Sequence, residues 1–254
     1  MIHPTAIIDP GAKLANNVEV GPYAIIGPNV TIGAHTVIGS HCVIKGPTEI
    51  GEHNHFYQFS SIGEASQDKK FKGGDAYLRI GDDNVIREFV TLNRGGDNGE
   101  TVIGNGNLLM AYVHVAHDCI IGNETVFANN ATLAGHVVVE DYATISGFSA
   151  VRQFTTIGAY SFVAAKTLVV KDVLPYVLVS DIPAEPCGLN MVGLKRRGFS
   201  NESITNLKRA YKIIYRQGLT VPNAINALTE MLDSVPEVQL LIDGLESAER
   251  GVTR

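Results

Sequence analysis

The sequence predicts an all-β solenoid, a parallel β-helix of six-residue repeats, followed by a small α-helical domain. Two unbroken runs of apolar residues spaced six apart predict the solenoid, and a switch to helical spacing beyond Pro175 predicts the second part. The composition agrees. With 26 glycines, no tryptophan and 7% aromatic residues, the chain must pack small and β-branched side chains rather than large rings.

The first run is Ile2, Ile8, Leu14, Val20, Ile26, Ile32, Ile38, Ile44, Ile50, Phe56 and Ile62. Glycine often follows the apolar residue, as at Gly21, Gly27, Gly33, Gly39, Gly51 and Gly63. The residue four places on is small or β-branched at Ala6, Val18, Ala24, Val30, Thr36 and Thr48. The second run holds twelve positions: Ile103, Leu109, Val115, Ile121, Phe127, Leu133, Val139, Ile145, Val151, Ile157, Val163 and Val169. A helix would drift away from a six-residue period at once. A solenoid keeps it, because each unit buries its apolar face only by stacking on its neighbours. Three hexads make one triangular coil of 18 residues, and coils stack at the strand spacing of roughly 4.8 Å.

Two segments break the phase. Residues 64–79 (EASQDKKFKGGDAYLR) and 93–102 (NRGGDNGETV) are expected to leave the coils as loops, which carry function on rigid scaffolds. Past the solenoid, Pro183 and Pro186 mark a loop. Ser200 is a plausible N-cap for a helix with the stripe Ile204, Leu207, Tyr211, Ile214 and Tyr215, ending at Gly218. Pro222 opens a second helix (Ile225, Leu228, Met231, Leu232) and Pro236 a third (Val238, Leu241, Ile242, Leu245). The expected division is 1–185 for the β-helix and 186–254 for the helical domain.

The formal charge of −6 argues against a general nucleic-acid binder, which needs a basic footprint. The charge is uneven: residues 190–218 hold seven Lys or Arg and one acid, Glu202, a local surplus suited to docking something acidic. Cys42, Cys119 and Cys187 are odd in number and lack metal-ligand spacing, as in a reducing compartment. Cys42 and Cys119 fall at the small inward repeat position. The N-terminal stretch lacks the basic flank and apolar run of a secretory signal, and no segment reaches membrane-spanning length. A cytoplasmic protein without membrane insertion is expected.

An 18-residue coil places residues 18 apart in one column. His117 then stacks under Gly135 and Gly135 under Gln153, with Asp118 under His136 and His114 on the neighbouring corner. The set matches acyl transfer to a hydroxyl. A histidine, with an ordinary pKa of about 6.5, can take the proton of an attacking alcohol. Asp118 can orient that imidazole. Gly135 lets substrate approach the backbone, whose N–H can face a developing oxyanion. No serine or cysteine stands in the column, which favours direct attack over a covalent intermediate. His35, His41 and His53 occupy ordinary solvent-facing positions without evident partners, and Tyr211 and Tyr215 read as helix packing.

The run HVAHD (114–118), ANNATLAGH (128–136) and Gln153-Phe154 resembles the UDP-N-acetylglucosamine O-acyltransferases of lipid A biosynthesis, within the hexapeptide-repeat transferases. YQFSSIGE (57–64), Gln67-Asp68 with Lys70, and GLKRRGFS (193–200) extend the match to the whole chain. The resemblance implies a left-handed coil, against the usual crossover rule, and a cytoplasmic homotrimer whose sites lie between subunits. It implies transfer of a 3-hydroxyacyl chain from acyl carrier protein to the 3-hydroxyl of UDP-N-acetylglucosamine, without cofactor or metal. By the same resemblance His117 is the general base and Gly135 the oxyanion donor. Gln67, Asp68, Lys70, His114, His136 and Gln153 then match sugar and diphosphate contacts, and Asn190, Arg196 and Arg197 match nucleotide or donor contacts. Ala165 falls where the family sets acyl length, implying a medium donor of about 10–14 carbons. The 1–3 kcal/mol that one methylene discriminates would disfavour the longest. Arg152 and Val192 depart from residues that some members carry.

Three alternatives compete. The N-acyltransferase acting later in the same pathway resembles this repeat, but it carries a separate uridine-binding domain and lacks the LKRRG-containing tail. A zinc enzyme of the γ-carbonic-anhydrase type would use His114, His117 and His136. A non-enzymatic binding solenoid would present a flat repetitive face, which the two loops and the basic segment interrupt.

Overall fold

Isoleucine, valine and threonine fill the repeat, and their branched side chains favour extended backbone. In the computed structural model, which describes residues 1–254, they form parallel strands mostly two or three residues long. The strands build three sheets of nine, eight and ten strands, here the first, second and third in the order the chain meets them. Each coil contributes one strand to each sheet. Side chains alternate across a strand, so the second residue of each pair points inward. Ile26, Ile44, Ile62, Leu92, Val115, Leu133, Val151 and Val169 form one buried ladder along the first sheet. Cys42 and Cys119 are fully buried at the small inward position.

Register identifies where the coils lengthen. Ile44 pairs with Ile62, 18 residues on; Ile62 pairs with Leu92, 30 on; Leu92 pairs with Val115, 23 on; and Val115 with Leu133, 18 again. Both loops are shorter than their polar composition suggests. Ala76–Ile80 and Gly99–Ile103 are five-residue strands of the second sheet that pair along their whole length. Ala76 and Leu78 face the core and are buried, and this alternation was hidden inside a polar stretch.

A ladder of buried amides crosses these irregular coils. Asn54 Oδ1 accepts Asn84 N–H at 3.0 Å and Asn84 Nδ2 at 2.9 Å. Asn84 Oδ1 accepts Asn107 N–H at 2.9 Å, and Asn107 Oδ1 accepts Thr125 N–H at 2.8 Å and its hydroxyl at 2.6 Å. Register there cannot come from the 18-residue repeat, and the amides supply it.

One residue per corner takes the left-handed conformation, including Tyr23, His41, Phe59, Phe89, Tyr112, Asp118, His136 and Phe154, all with φ between 58° and 64°. Such residues stack along the edges of the prism. The histidines expected to lack partners have them: His41 lies between Tyr23 and Phe59 at 5.1 and 5.2 Å, and His35 stacks on His53 at 4.8 Å.

Beyond the coils the chain forms a hairpin that the two prolines concealed. Val177–Ser180 extends the third sheet in parallel with Phe162–Val163 and pairs antiparallel with Glu185–Leu189. A short helix α1, Met191–Arg196, follows; its N-cap is Asn190, whose side chain accepts the Gly193 N–H. Helix α2, Asn201–Arg216, begins at Ser200, whose hydroxyl accepts the Ser203 N–H. The expected stripe Ile204, Leu207, Tyr211 and Ile214 is buried, and Gly218 follows with φ +66°. Helix α3, Val221–Thr229, ends before Met231 and Leu232, and α4, Val238–Ser247, buries Val238, Leu241, Ile242 and Leu245. No helix is long and apolar enough to cross a membrane.

Candidate active site

The edge between the first and second sheets collects the predicted column. His117 and Asp118 turn this corner between the strands His114–Val115 and Ile120–Ile121. His117 Nδ1 lies 2.7 Å from Asp118 Oδ2, and each side chain is 15% exposed. Both oxygens of Asp118 accept the Gly96 N–H at 3.0 Å, and Asp118 N–H donates to Thr101 Oγ1 at 2.9 Å. Gly96 therefore holds the carboxylate and Thr101 its backbone, while Oδ2 also meets the imidazole.

Gly135 lies directly above His117, one coil on. A Cβ added there would stand 2.5 Å from Cε1 and 2.6 Å from Nε2 of the ring, so only glycine permits this approach. The Gly135 carbonyl accepts Phe154 N–H at 3.2 Å, while its own N–H donates to no group in the chain. A free backbone donor thus lies beside an imidazole whose Nε2 is not committed to Asp118.

His136 sits above Asp118, with Nε2 3.6 Å from Oδ2 and its ring edge-on to His117 at 5.2 Å. His117, Asp118 and His136 place possible donor atoms within 4.8 Å of one another. This is not the trio expected for zinc, because His114 lies elsewhere. It is on a strand of the first sheet, not a corner, with Nδ1 2.7 Å from Thr91 Oγ1. Burial holds the His114 imidazole below its ordinary pKa, in its neutral form.

The two loops form the outer wall. Asp97 accepts Lys72 N–H at 3.1 Å and Gly74 N–H at 2.8 Å, tying the first loop to the second. Within the first loop Asp68 Oδ1 accepts Lys70 N–H at 2.9 Å, and Asp68 N–H donates to Ser66 Oγ at 3.2 Å. Gln67, Asp68, Lys70, His114, His117 and Gln153 line one open groove of about 630 Å³ along the first sheet. Sequence reading missed the anchors Gly96, Asp97 and Thr101. Their signal was the glycine-rich run at 95–99, which also brings Gly99 against Asp118.

Asn190, Arg196 and Arg197 are not brought to this groove within one chain. Arg197 lies over the Tyr142 ring at 4.4 Å and reaches Glu124 at 3.2 Å, on the edge between the second and third sheets. Asn190 is buried, and its amide is spent: Nδ2 donates to Tyr160 O at 2.9 Å while Oδ1 caps α1. Arg196 is exposed on α1. Ala165 is exposed at the third edge, between the third and first sheets, 48 residues and so just under three coils beyond His117.

The chain is similar to known proteins over its whole length. Residues 172–253 match the family described as UDP-N-acetylglucosamine O-acyltransferase, domain 2, and residues 1–34 and 100–135 match the bacterial transferase hexapeptide repeats. A curated acyl-[acyl-carrier-protein]-UDP-N-acetylglucosamine O-acyltransferase from Thiobacillus denitrificans is 53% identical over 255 residues, covering 100% of this chain and 99% of the relative. The chain belongs to the UDP-N-acetylglucosamine O-acyltransferase family. LpxA from Acinetobacter baumannii superposes with a TM-score of 0.97 at 50% identity, covering 100% of this chain and 99% of that one. The Arabidopsis UDP-N-acetylglucosamine acyltransferase superposes at 0.85 with 34% identity and full coverage of both chains. As a member of this family the chain is an acyltransferase, and the non-enzymatic reading falls away.

Proposed function

We propose that the protein transfers a 3-hydroxyacyl chain from acyl carrier protein to the 3-hydroxyl of UDP-N-acetylglucosamine, the first step of lipid A biosynthesis, with His117 as general base. The observation that carries the reading is the His117 ring held by Asp118 through Nδ1, its Nε2 close beneath the bare backbone of Gly135. The sugar hydroxyl approaches Nε2, gives up its proton, and attacks the thioester carbonyl directly. Asp118 stabilises the imidazolium that forms. Gly135 N–H donates to the oxyanion. Collapse of the tetrahedral intermediate expels the carrier thiolate, which takes the proton from His117.

A cysteine intermediate is disfavoured, because burial pushes the Cys119 thiol up to about 12 and Sγ donates to Ala134 O at 3.2 Å. Gln67, Asp68, Lys70, His114, His136 and Gln153 contact the sugar and diphosphate from the groove and its rim. Arg196 and Arg197 serve the nucleotide or donor of a neighbouring subunit's site, since they lie on another edge of their own prism. A cytoplasmic homotrimer supplies that geometry, and Asn190 contributes by fixing the start of α1. The surplus charge of 190–218 docks the acidic carrier.

The zinc reading has one feature in its favour, the donor cluster of His117, Asp118 and His136. The 2.7 Å contact between Nδ1 and Oδ2 makes these two atoms hydrogen-bond partners and leaves no room for an ion between them. Metal analysis of the active protein separates the two readings. The test of the proposal is incubation with UDP-N-acetylglucosamine and a panel of 3-hydroxyacyl carrier proteins. Formation of a 3-O-acylated UDP sugar is expected, and no product with any donor would overturn it.

A further inference from the structure

His136 faces the proposed substrate site, yet no close hydrogen bond orients its ring. Its Nε2 is 3.6 Å from Asp118 Oδ2, beyond good hydrogen-bond range, and the side chain is 41% exposed. Ring contacts must hold it. Phe154, one coil above, stacks on His136 with centroids 4.4 Å apart and planes 6° from parallel. The far face of Phe154 carries the Arg250 guanidinium, 4.6 Å from the ring centroid.

Arg250 comes from the other end of the chain. The last residues fold back on the end of the second sheet: Val252 bridges Asp172 in parallel, Thr253 N–H donates to Asp172 O at 2.8 Å, and both Val252 and Thr253 are buried. Asp118, His136 and Phe154 follow one another at 18-residue steps with φ of 59°, 59° and 61°. The next step would be Asp172, whose carboxyl turns away to accept the Thr156 N–H at 2.8 Å. The vacated place above Phe154 is taken by Arg250.

We propose that Phe154, clamped by Arg250, is a positioning residue for His136. The stack holds the imidazole perpendicular to His117, with Nε2 turned toward Asp118, so that the acceptor sugar nucleotide meets a pre-oriented ring. Ordering that ring in advance removes part of the entropy cost of binding. This rests on the reading of His136 as a substrate contact. A stacked aromatic pair closed by an exposed cation corresponds to about 3- to 10-fold in affinity.

The test is steady-state kinetics and thermal melting of the full-length protein. Phe154→Leu keeps apolar bulk and removes the aromatic face. It should raise KM for UDP-N-acetylglucosamine by about 3- to 10-fold, leaving kcat within about twofold and the melting temperature unchanged. Phe154→Tyr should restore KM. Arg250→Gln should raise KM by a smaller factor, and Arg250→Lys should return part of it. An unchanged KM in Phe154→Leu, or a loss of melting temperature with kcat and KM falling together, overturns the proposal. His136→Ala is the control. If it raises KM while Phe154→Leu does not, the positioning role alone fails; if His136→Ala also leaves KM unchanged, the substrate-contact reading fails with it.

Discussion

Gly135→Ala tests the site at its tightest point. The new Cβ would stand 2.5 Å from His117 Cε1, 2.6 Å from Nε2 and 3.1 Å from Nδ1, where ordinary contact begins at 3.4 Å. The ring must withdraw by about 0.9 Å, the difference between 3.4 and 2.5 Å. It can do so only by stretching the 2.7 Å bond to Asp118 or by lifting Nε2 away from the attacking hydroxyl. A displacement of about 1 Å can cost on the order of 10²-fold in rate. Backbone strain adds nothing, because Gly135 does not lie in the left-handed region. Alanine also removes unfolded-state freedom worth about 0.4–1 kcal/mol. Activity and stability should therefore separate: kcat/KM falls about 100-fold, while the melting temperature stays within a few degrees of wild type. Rate measurements beside a thermal melt check both. A variant with wild-type kcat/KM would refute the argument that His117 acts from this position.

Other perturbations address the scaffold, the donor and the acyl pocket. Asn84→Leu strands the Asn107 N–H and the Gly104 carbonyl, each costing about 1–3 kcal/mol; denaturant titration should show this loss, and a neutral result would remove the amide ladder as the source of register. Charge reversal at Lys195, Arg196 and Arg197 should raise KM for the carrier-protein donor more than for a short pantetheine analogue, and the wild-type KM should depend strongly on salt. An unchanged KM without salt effect would remove the basic segment from docking. Ala165→Gly should move the acyl optimum longer and Ala165→Met shorter in mixed-donor competition, and an optimum unmoved by both would place the end of the acyl site elsewhere.

The coils were legible because burial repeats with the covalent period. Each inward Ile or Val needs the one 18 residues away, so the ladders from Ile26 to Ile62 and from Val115 to Val169 could be read directly. His117, Asp118, Gly135 and His136 came together on paper for the same reason. Legibility stopped where the period broke. Ala76 and Leu78 alternate inside a polar stretch, and Asn84 and Asn107 set register through amides that a hydrophobic pattern does not register. Gly96 holds Asp118 across 22 residues through a backbone N–H, and only the glycine-rich run at 95–99 marks the place in the sequence. Asn190 and Arg197 matched a family motif, but the fold of one chain puts them on another edge. The tail that carries Arg250 gave no signal, since a single bridge to Asp172 seats it.

The most direct test is the rate of His117→Ala against its parent across pH. General acid–base catalysis contributes roughly 10²–10⁴-fold, so the variant should fold normally and lose nearly all transfer activity. The parent rate should fall toward acid as the base protonates, with the sign of a group that must be neutral to act. Burial keeps the His114 imidazole below its ordinary pKa, and the His117→Ala comparison assigns the limb. A variant retaining more than about a tenth of the parent rate, or a parent profile flat between about pH 5 and 8, would contradict a histidine base at this edge.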